Sequence, residues 1–152
     1  MSKPPSRTEI TWVGGHAFEG GRAGGPRILL DGDAARGPSP VDGLMIALAA
    51  CTGYDIVDIL EKRRTPLEAL QIGAHAERFD GVPGRVTRVV LSYDMRGAGI
   101  EASHAARAVE LAVHKYCSVR DSLDPALPIE TELTVNGERV ETSAPGALPV
   151  VG

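Results

Sequence analysis

The chain has 152 residues, of which 43% are hydrophobic and 4% aromatic, and its formal net charge is −4 at pH 7. A chain of this length suits one domain with its own apolar core, and an acidic balance without a basic tract argues against a nucleic-acid partner. No membrane association is expected, because Asp55 and Asp58 interrupt the longest apolar run.

Three short strands are predicted near the N-terminus. TEITWV (8–13) alternates and is rich in strand-forming residues, and RILLD (27–31) is a second candidate of the same kind. Between them lies a glycine-rich loop in which we expect one short strand at residues 16–19.

The longest helical signal covers residues 41–63. Ser39 is placed to cap this helix, Pro40 fits its first turn, and Pro66 prevents it from continuing. Residues 44–50 are apolar on nearly every side, which predicts a helix buried all round. Such burial needs more cover than one small sheet supplies, and a symmetric dimer that packs two of these helices together would provide it.

A hairpin and a second helix follow. LEALQIGAHAERF (67–79) and RVTRVVLSYDMRG (85–97) alternate, and DGVPG (80–84) is a turn signal between them. Residues 101–116 predict a helix with a one-sided apolar stripe, which consists of Ala105, Ala108, Val109, Ala112, Val113 and Tyr116.

The C-terminal part predicts a short helix capped by Ser118 and a last strand in PIETELTVNGERV (128–140), which contains an Asn-Gly turn. The order of the elements and their mainly antiparallel strands indicate the α+β class. We expect one domain over residues 1–152, with residues 1–7 and 141–152 loosely attached.

Two cysteines carry the chemical interest. Cys51 lies in the apolar stretch ALAACTGYDIVDIL (47–60), and composition alone favours a packed, inert residue there. Cys117 precedes the predicted cap Ser118, where backbone N–H groups lower the pKa of a thiol, and His114 or Arg120 would add positive charge. An inert packing role is equally open for Cys117.

The N-terminal residues MSKPPSRTEITW contain no apolar signal region, so we expect a cytoplasmic protein. In that compartment a cysteine pair is more often catalytic or redox-active than structural. We expect no metal site, because no C-x-x-C occurs and only His114 lies close to a cysteine. An acyl-transfer site would need an oriented Cys–His pair, for which His114 is the only neighbouring histidine.

Three stretches together resemble the family of osmotically inducible protein C and the organic hydroperoxide resistance proteins. They are GPSPVDGLMIALAACTGYDIVDILEKRR (37–64), HKYCSVRDSL (114–123) and the closing PIETELTVNGE, and CTGYDIVDILEKRR is most similar to a less characterised subgroup. The resemblance extends from the first strand to about Val140. It implies antiparallel sheets around long buried helices in an intertwined homodimer, with active sites at the subunit interface.

The resemblance also implies thiol-dependent reduction of organic hydroperoxides without a metal or an organic cofactor. Cys51 matches the family's peroxidatic cysteine, which attacks the O–O bond as thiolate and becomes a sulfenic acid. Cys117 matches the resolving cysteine, which condenses with that sulfenic acid to a disulfide. An external dithiol reductant then restores both thiols.

The supporting residues match less closely. The family's activating arginine comes from an N-terminal glycine loop, where Arg22 is the matching candidate and Arg27 and Arg36 remain open. The family's glutamate after the helix-start proline falls on Val41 here, and an acid follows one residue later as Asp42. On an ideal helix Asp42 lies about 180° from Cys51, so it either replaces that glutamate or only favours the helix N-terminus.

Asp55 lies four residues after Cys51, close enough on a helix for its carboxylate to disfavour the thiolate unless an arginine neutralises it. Two alternatives to a peroxidase therefore stay open. One is a dimer that binds a small apolar or thiol ligand without turnover. The other is an acyl-thioester hydrolase of the hot-dog type, in which Asp42 would be the catalytic acid near the helix start.

Overall fold

The structure is a computed structural model that describes residues 2–142, and the chain divides into two compact units, Met1–Met45 and Ile46–Gly152. Residues 2–7 are exposed and have no regular structure. Most of the tail predicted to be loose, from residue 143 onward, lies outside the described residues. The expectation of a single domain over 1–152 stays a prediction.

The N-terminal unit contains a three-stranded antiparallel sheet of β1 (Thr8–Trp12), β2 (Ala17–Arg22) and β3 (Ile28–Asp31), in that order. The middle strand is longer than the predicted residues 16–19, because pairing with both neighbours keeps its glycines extended. Several large apolar side chains of this sheet are exposed, and they line a cleft of about 300 Å³ between them: Ile10, Phe18 and Ile28.

Helix α1 (Pro40–Lys62) begins and ends close to the predicted limits. Its N-terminus carries a capping box, because Asp42 N–H donates to Ser39 Oγ at 3.1 Å and Ser39 N–H donates to Asp42 Oδ2 at 2.9 Å. The predicted capping role of Ser39 is therefore confirmed.

The C-terminal unit contains a four-stranded sheet in the order β4-β5-β6-β7. Its strands are β4 (Ala69–Arg78), β5 (Val86–Arg96), β6 (Ile129–Val135) and β7 (Glu138–Val140). The β4–β5 hairpin is antiparallel as predicted, and so is the β6–β7 hairpin at the Asn-Gly turn, where Asn136 and Gly137 have φ of 49° and 84°.

Strands β5 and β6 are parallel, which departs from the antiparallel sheets that the resemblance implied. The crossover between them contains α2 (Ala102–Leu111), a π-helical turn (Ala112–Tyr116) and α3 (Ser118–Asp121). A crossover that carries a helix brings the next strand back in the same direction, whereas a tight turn reverses it. The class remains mixed α+β.

The apolar stripe of α2 is buried at Ala105, Ala108 and Val109 and continues into the π-turn at Ala112 and Val113, but its predicted last member, Tyr116, is 49% exposed. The wider π-turn replaces the 3.6-residue spacing on which the prediction rested, so Tyr116 leaves the stripe.

Within one protomer, helix α1 is buried on one side only, so its predicted burial all round, which depends on a dimer, stays a prediction. Leu48, Ile56 and Leu60 are fully buried, while Ile46 is 56% and Tyr54 74% exposed on other sides of the helix. A single protomer thus leaves large apolar side chains of α1 exposed.

The expectation that no apolar run reaches membrane-spanning length is wrong. Among the described residues, the helix Pro40–Lys62 is long and apolar enough to cross a membrane, judged by length and composition alone. Of its most apolar stretch, 39% is buried inside the protein. Asp55 and Asp58 alone do not lower the mean hydropathy of this stretch enough to exclude it. Core helices of soluble proteins meet the same criterion, so this finding alone assigns no membrane role.

Candidate redox site

The two cysteines lie close together in the C-terminal unit, although they are remote in sequence. Cys51 is half-buried on α1, and Cys117 is 3% exposed at the end of the π-turn. Both are free thiols, and Cys51 is near enough to Cys117 to raise the pKa of the Cys117 thiol. One protomer therefore holds both sulfurs that a disulfide would join.

Cys117 itself caps α3, which corrects the prediction that Ser118 does so. The backbone of Cys117 is extended (φ −69°, ψ 107°), and its Sγ accepts a hydrogen bond from Arg120 N–H at 3.2 Å. The sulfur thus occupies the place that a serine oxygen takes at an ordinary helix start. This contact fixes the direction in which Cys117 points.

The pKa of the Cys117 thiol is raised to about 11, chiefly by burial; the Arg120 N–H bond lowers it in part, and the neighbouring Cys51 adds to the rise. The prediction that the helix start lowers this pKa has the wrong net sign, because loss of hydration around a thiolate outweighs one hydrogen bond. Near neutral pH, Cys117 is therefore a protonated thiol.

The two cationic groups predicted beside Cys117 do not both contribute charge. Burial and the Arg120 charge lower the pKa of His114, so this imidazole is neutral at neutral pH. The guanidinium of Arg120 donates to the carbonyl oxygens of Asp124, Pro125 and Leu127 at 3.2–3.3 Å, which holds it against the following loop.

A cavity of about 190 Å³ opens beside Cys117 within the C-terminal unit. Its wall combines the sulfur with charged and apolar groups, among them Lys115, Arg120, Asp121 and Leu123. The cavity gives a small molecule a route to Cys117 despite the low exposure of that residue. Within residues 2–142, no group of three or more His, Cys, Asp or Glu side chains could hold a metal ion.

Asp55 is half-buried one turn after Cys51. Burial raises the pKa of Asp55, and the charge of Asp58 raises it further. Within the described residues of the C-terminal unit, no arginine or lysine forms an ion pair with Asp55.

The three candidate arginines all lie in the N-terminal unit and differ in their partners. Arg27 Nη2 donates to Glu19 O at 2.9 Å and to Thr11 Oγ1 at 3.2 Å, and Arg36 Nη1 donates to Val13 O at 3.4 Å. Arg22, at the end of β2, makes no side-chain hydrogen bond or ion pair within residues 2–142. Of the three guanidinium groups, that of Arg22 has the fewest hydrogen-bond partners within residues 2–142. Its activating role stays a prediction.

Asp42 lies in the first turn of α1, where its carboxylate completes the capping box with Ser39. This contact explains the acid at that position, because the carboxylate stabilises the N-terminus of the helix. Its assignment as a catalytic residue, in a peroxidase or in a thioester hydrolase, stays a prediction.

Two buried hydroxyl groups beside Cys51 were missed by sequence reasoning. Tyr93 Oη donates to Thr52 Oγ1 at 2.8 Å, and Thr52 Oγ1 donates to the Ala49 carbonyl at 2.9 Å. Burial raises the pKa of Tyr93, so its phenol stays neutral. The available signal was a threonine on the otherwise apolar buried side of α1, together with the inward position of Tyr93 in alternating β5.

Comparisons with known proteins agree with this architecture. Residues 31–132 match the family described as OsmC-like protein. Protein YhfA of Escherichia coli (strain K12) is 33% identical over 124 residues, which cover 81% of this chain and 92% of YhfA.

Two solved structures show the breadth of the fold. A protein from Aquifex aeolicus VF5 has a TM-score of 0.78 at 22% identity, covering 88% of this chain and 98% of that one. The organic hydroperoxide resistance protein OhrB of Bacillus subtilis has a TM-score of 0.59 at 16% identity, covering 85% and 98%. At these identities, the two likenesses concern the fold alone.

Proposed function

Because the chain belongs to the OsmC-like protein family, we propose that it is a homodimeric, cytoplasmic, thiol-dependent peroxidase that reduces organic hydroperoxides. The observation that carries the proposal is that Cys51 and Cys117, remote in sequence, are neighbours inside one compact unit. A pair of neighbouring cysteines is what sulfenic-acid chemistry with a resolving thiol requires.

In the proposed cycle the Cys51 thiolate attacks one oxygen of the hydroperoxide and breaks the O–O bond. The peroxide is reduced to an alcohol, which takes up a proton as it leaves, and Cys51 is oxidised to a sulfenic acid. The Cys117 thiol then attacks the Cys51 sulfur, so that a disulfide forms and water leaves. A dithiol reductant returns both cysteines to thiols by exchange and becomes a disulfide itself, so the cycle needs no metal or organic cofactor.

The different environments of the two thiols support this division of roles. Cys117 is almost fully buried, and its raised pKa keeps it protonated near neutral pH. A protonated thiol is a poor nucleophile toward peroxide. Cys51 is the more accessible sulfur and follows an apolar stretch of α1 that suits an organic substrate. Arg22 is the proposed activating cation.

The uncovered apolar surfaces support the homodimer. Ile46 and Tyr54 of α1 are more than half exposed in one protomer, and so are Ile10 and Ile28 of the N-terminal sheet. Isolated apolar side chains are ordinary on a surface, but apolar side chains repeated along one helix indicate an interface. A second copy of this chain would cover them in both protomers at once.

Steady-state kinetics test the proposal. With dithiothreitol as reductant, we expect the protein to consume an organic hydroperoxide such as cumene hydroperoxide faster than hydrogen peroxide, because apolar walls retain the larger substrate. Consumption of both peroxides at the rate of dithiothreitol alone would contradict the proposal.

That negative result would favour the second candidate, a dimer that binds a small apolar or thiol ligand without turnover. The observation on its side is Asp55, a half-buried carboxylate one turn from Cys51 with no cationic partner in the described part of its own unit. A carboxylate in that place opposes formation of a thiolate. Retention of an apolar thiol in equilibrium dialysis, without peroxide consumption, would identify this candidate.

A further inference from the structure

A chain of buried hydroxyl groups joins helix α1 to the sheet at the residue that follows Cys51. Tyr93 on β5 and Thr52 on α1 are 2% and 0% exposed, and their hydrogen bond continues to the carbonyl of Ala49. Burying two hydroxyl groups in an apolar core adds little stability over apolar residues of the same shape. What a hydrogen bond adds is direction, because it weakens steeply when its atoms move out of line.

The helix also lies close to the sheet at this point. A Cβ on Gly53 would lie 2.9 Å from Ile72 Cδ1, and Ile72 is the cross-strand partner of Tyr93. A hydrogen bond to β5 and a close approach to β4 thus fall at successive residues of α1. We call Thr52, Gly53, Ile72 and Tyr93 the helix clamp.

The helix clamp has both cysteines as neighbours. Cys51 directly precedes Thr52 in α1, and the Tyr93 phenol is close enough to Cys117 for the charge of a Cys117 thiolate to affect it. Movement of α1 along or about its axis would displace the Cys51 sulfur, whereas Cys117 is held separately by its own bond from Arg120 N–H.

We propose that Tyr93 and Thr52 are positioning residues, whose hydrogen bond holds Cys51 at the separation and angle from Cys117 that a disulfide requires. A disulfide tolerates only a narrow range of geometry, with Cβ atoms about 3.8 Å apart. The inference rests on the Cys51–Cys117 couple of the proposed function and adds the residues that align it.

Thiol–disulfide exchange with dithiothreitol tests this without any peroxide. The two protein thiols and oxidised dithiothreitol exchange to the protein disulfide and reduced dithiothreitol, and the equilibrium constant reports the alignment of the two sulfurs. We expect the double variant Tyr93→Phe/Thr52→Val to lower this constant about tenfold, since small misplacements of reacting groups have effects of at least this size.

Three controls separate positioning from packing. The double variant removes both hydroxyl groups at nearly constant shape, so its Tm should stay close to that of the parent protein. Thr52→Ser keeps the hydroxyl and removes a methyl group, and it should retain the parent's exchange constant. Thr87→Val removes a β5 hydroxyl that donates to Glu77 O outside the helix clamp, and it should also leave the constant unchanged.

An unchanged exchange constant in the double variant would overturn the inference and leave the proposed function intact. A Thr52→Ser constant as low as that of the double variant would also overturn it, because shape rather than the hydrogen bond would then control the couple. If the parent protein forms no Cys51–Cys117 disulfide under any exchange condition, both the inference and the proposed function fail.

Discussion

Cys51→Ser is expected to reduce dithiothreitol-dependent consumption of cumene hydroperoxide to the background rate, a loss of at least about a hundredfold. A serine hydroxyl at this position has neither the nucleophilicity of a thiolate nor the oxidation states of sulfur, so the O–O bond is not attacked. The measurement is the initial rate of peroxide loss at fixed dithiothreitol, with equal concentrations of parent and variant.

Cys117→Ser is the matched control, because it makes the same sulfur-to-oxygen change at the neighbouring cysteine. This variant should still reduce one equivalent of peroxide in a single turnover, since Cys51 remains. Without a resolving thiol, its sulfenic acid is exposed to further oxidation, and repeated peroxide additions should convert Cys51 to the sulfinic acid. Equal steady-state rates for the parent and Cys51→Ser would contradict the peroxidase proposal.

Ile46→Glu is expected to convert a homodimer into monomers. Ile46 is 56% exposed in one protomer, and the proposed dimer would bury it. An unpaired charge in a buried interface costs on the order of 3–5 kcal/mol, and a symmetric interface contains the substitution twice. The substitution should therefore raise the dissociation constant of the dimer by more than about a hundredfold. Light scattering after size-exclusion chromatography would detect the resulting monomers as a halved mass.

Val82→Glu provides the comparison for this experiment, since it introduces the same charge at a fully exposed valine in the β4–β5 turn. This variant should keep the mass of the parent protein. A monomeric parent protein would remove the homodimer from the account. So would an Ile46→Glu protein that is folded and keeps the parent's mass.

Much of the fold could be predicted because local signals and burial agree. Ser39 and Pro40 mark the start of α1, and β5 alternates between buried and half-buried residues from Val89 to Met95. The parallel pairing of β5 and β6 could not be predicted in this way. Both strands have the same alternation whichever direction they run, and only the path of the crossover decides between the two arrangements.

Of the candidate site, only the two cysteines could be predicted from the sequence. Cys51 and Cys117 came from the resemblance, which matched two separate blocks of sequence. The direction of the Cys117 pKa shift could not be predicted. A helix start lowers the pKa of a thiol and burial raises it, and the sequence pattern does not measure the burial of a single side chain.

The hydrogen bond from Tyr93 to Thr52 was also missed, for a different reason. It joins residues of a helix and a strand that are far apart in sequence, and each of the two side chains has an ordinary explanation in its own element. Only the packing of α1 on the sheet brings the two hydroxyl groups together. The same holds for the close approach of Gly53 to Ile72.

Intact-mass spectrometry of the peroxide-treated protein tests the central claim most directly. After one equivalent of cumene hydroperoxide, the account predicts a mass lower by two hydrogen atoms within a single chain, and a tryptic peptide pair that joins Cys51 to Cys117. A protein that keeps two free thiols after this treatment, or that only gains oxygen atoms, would contradict it.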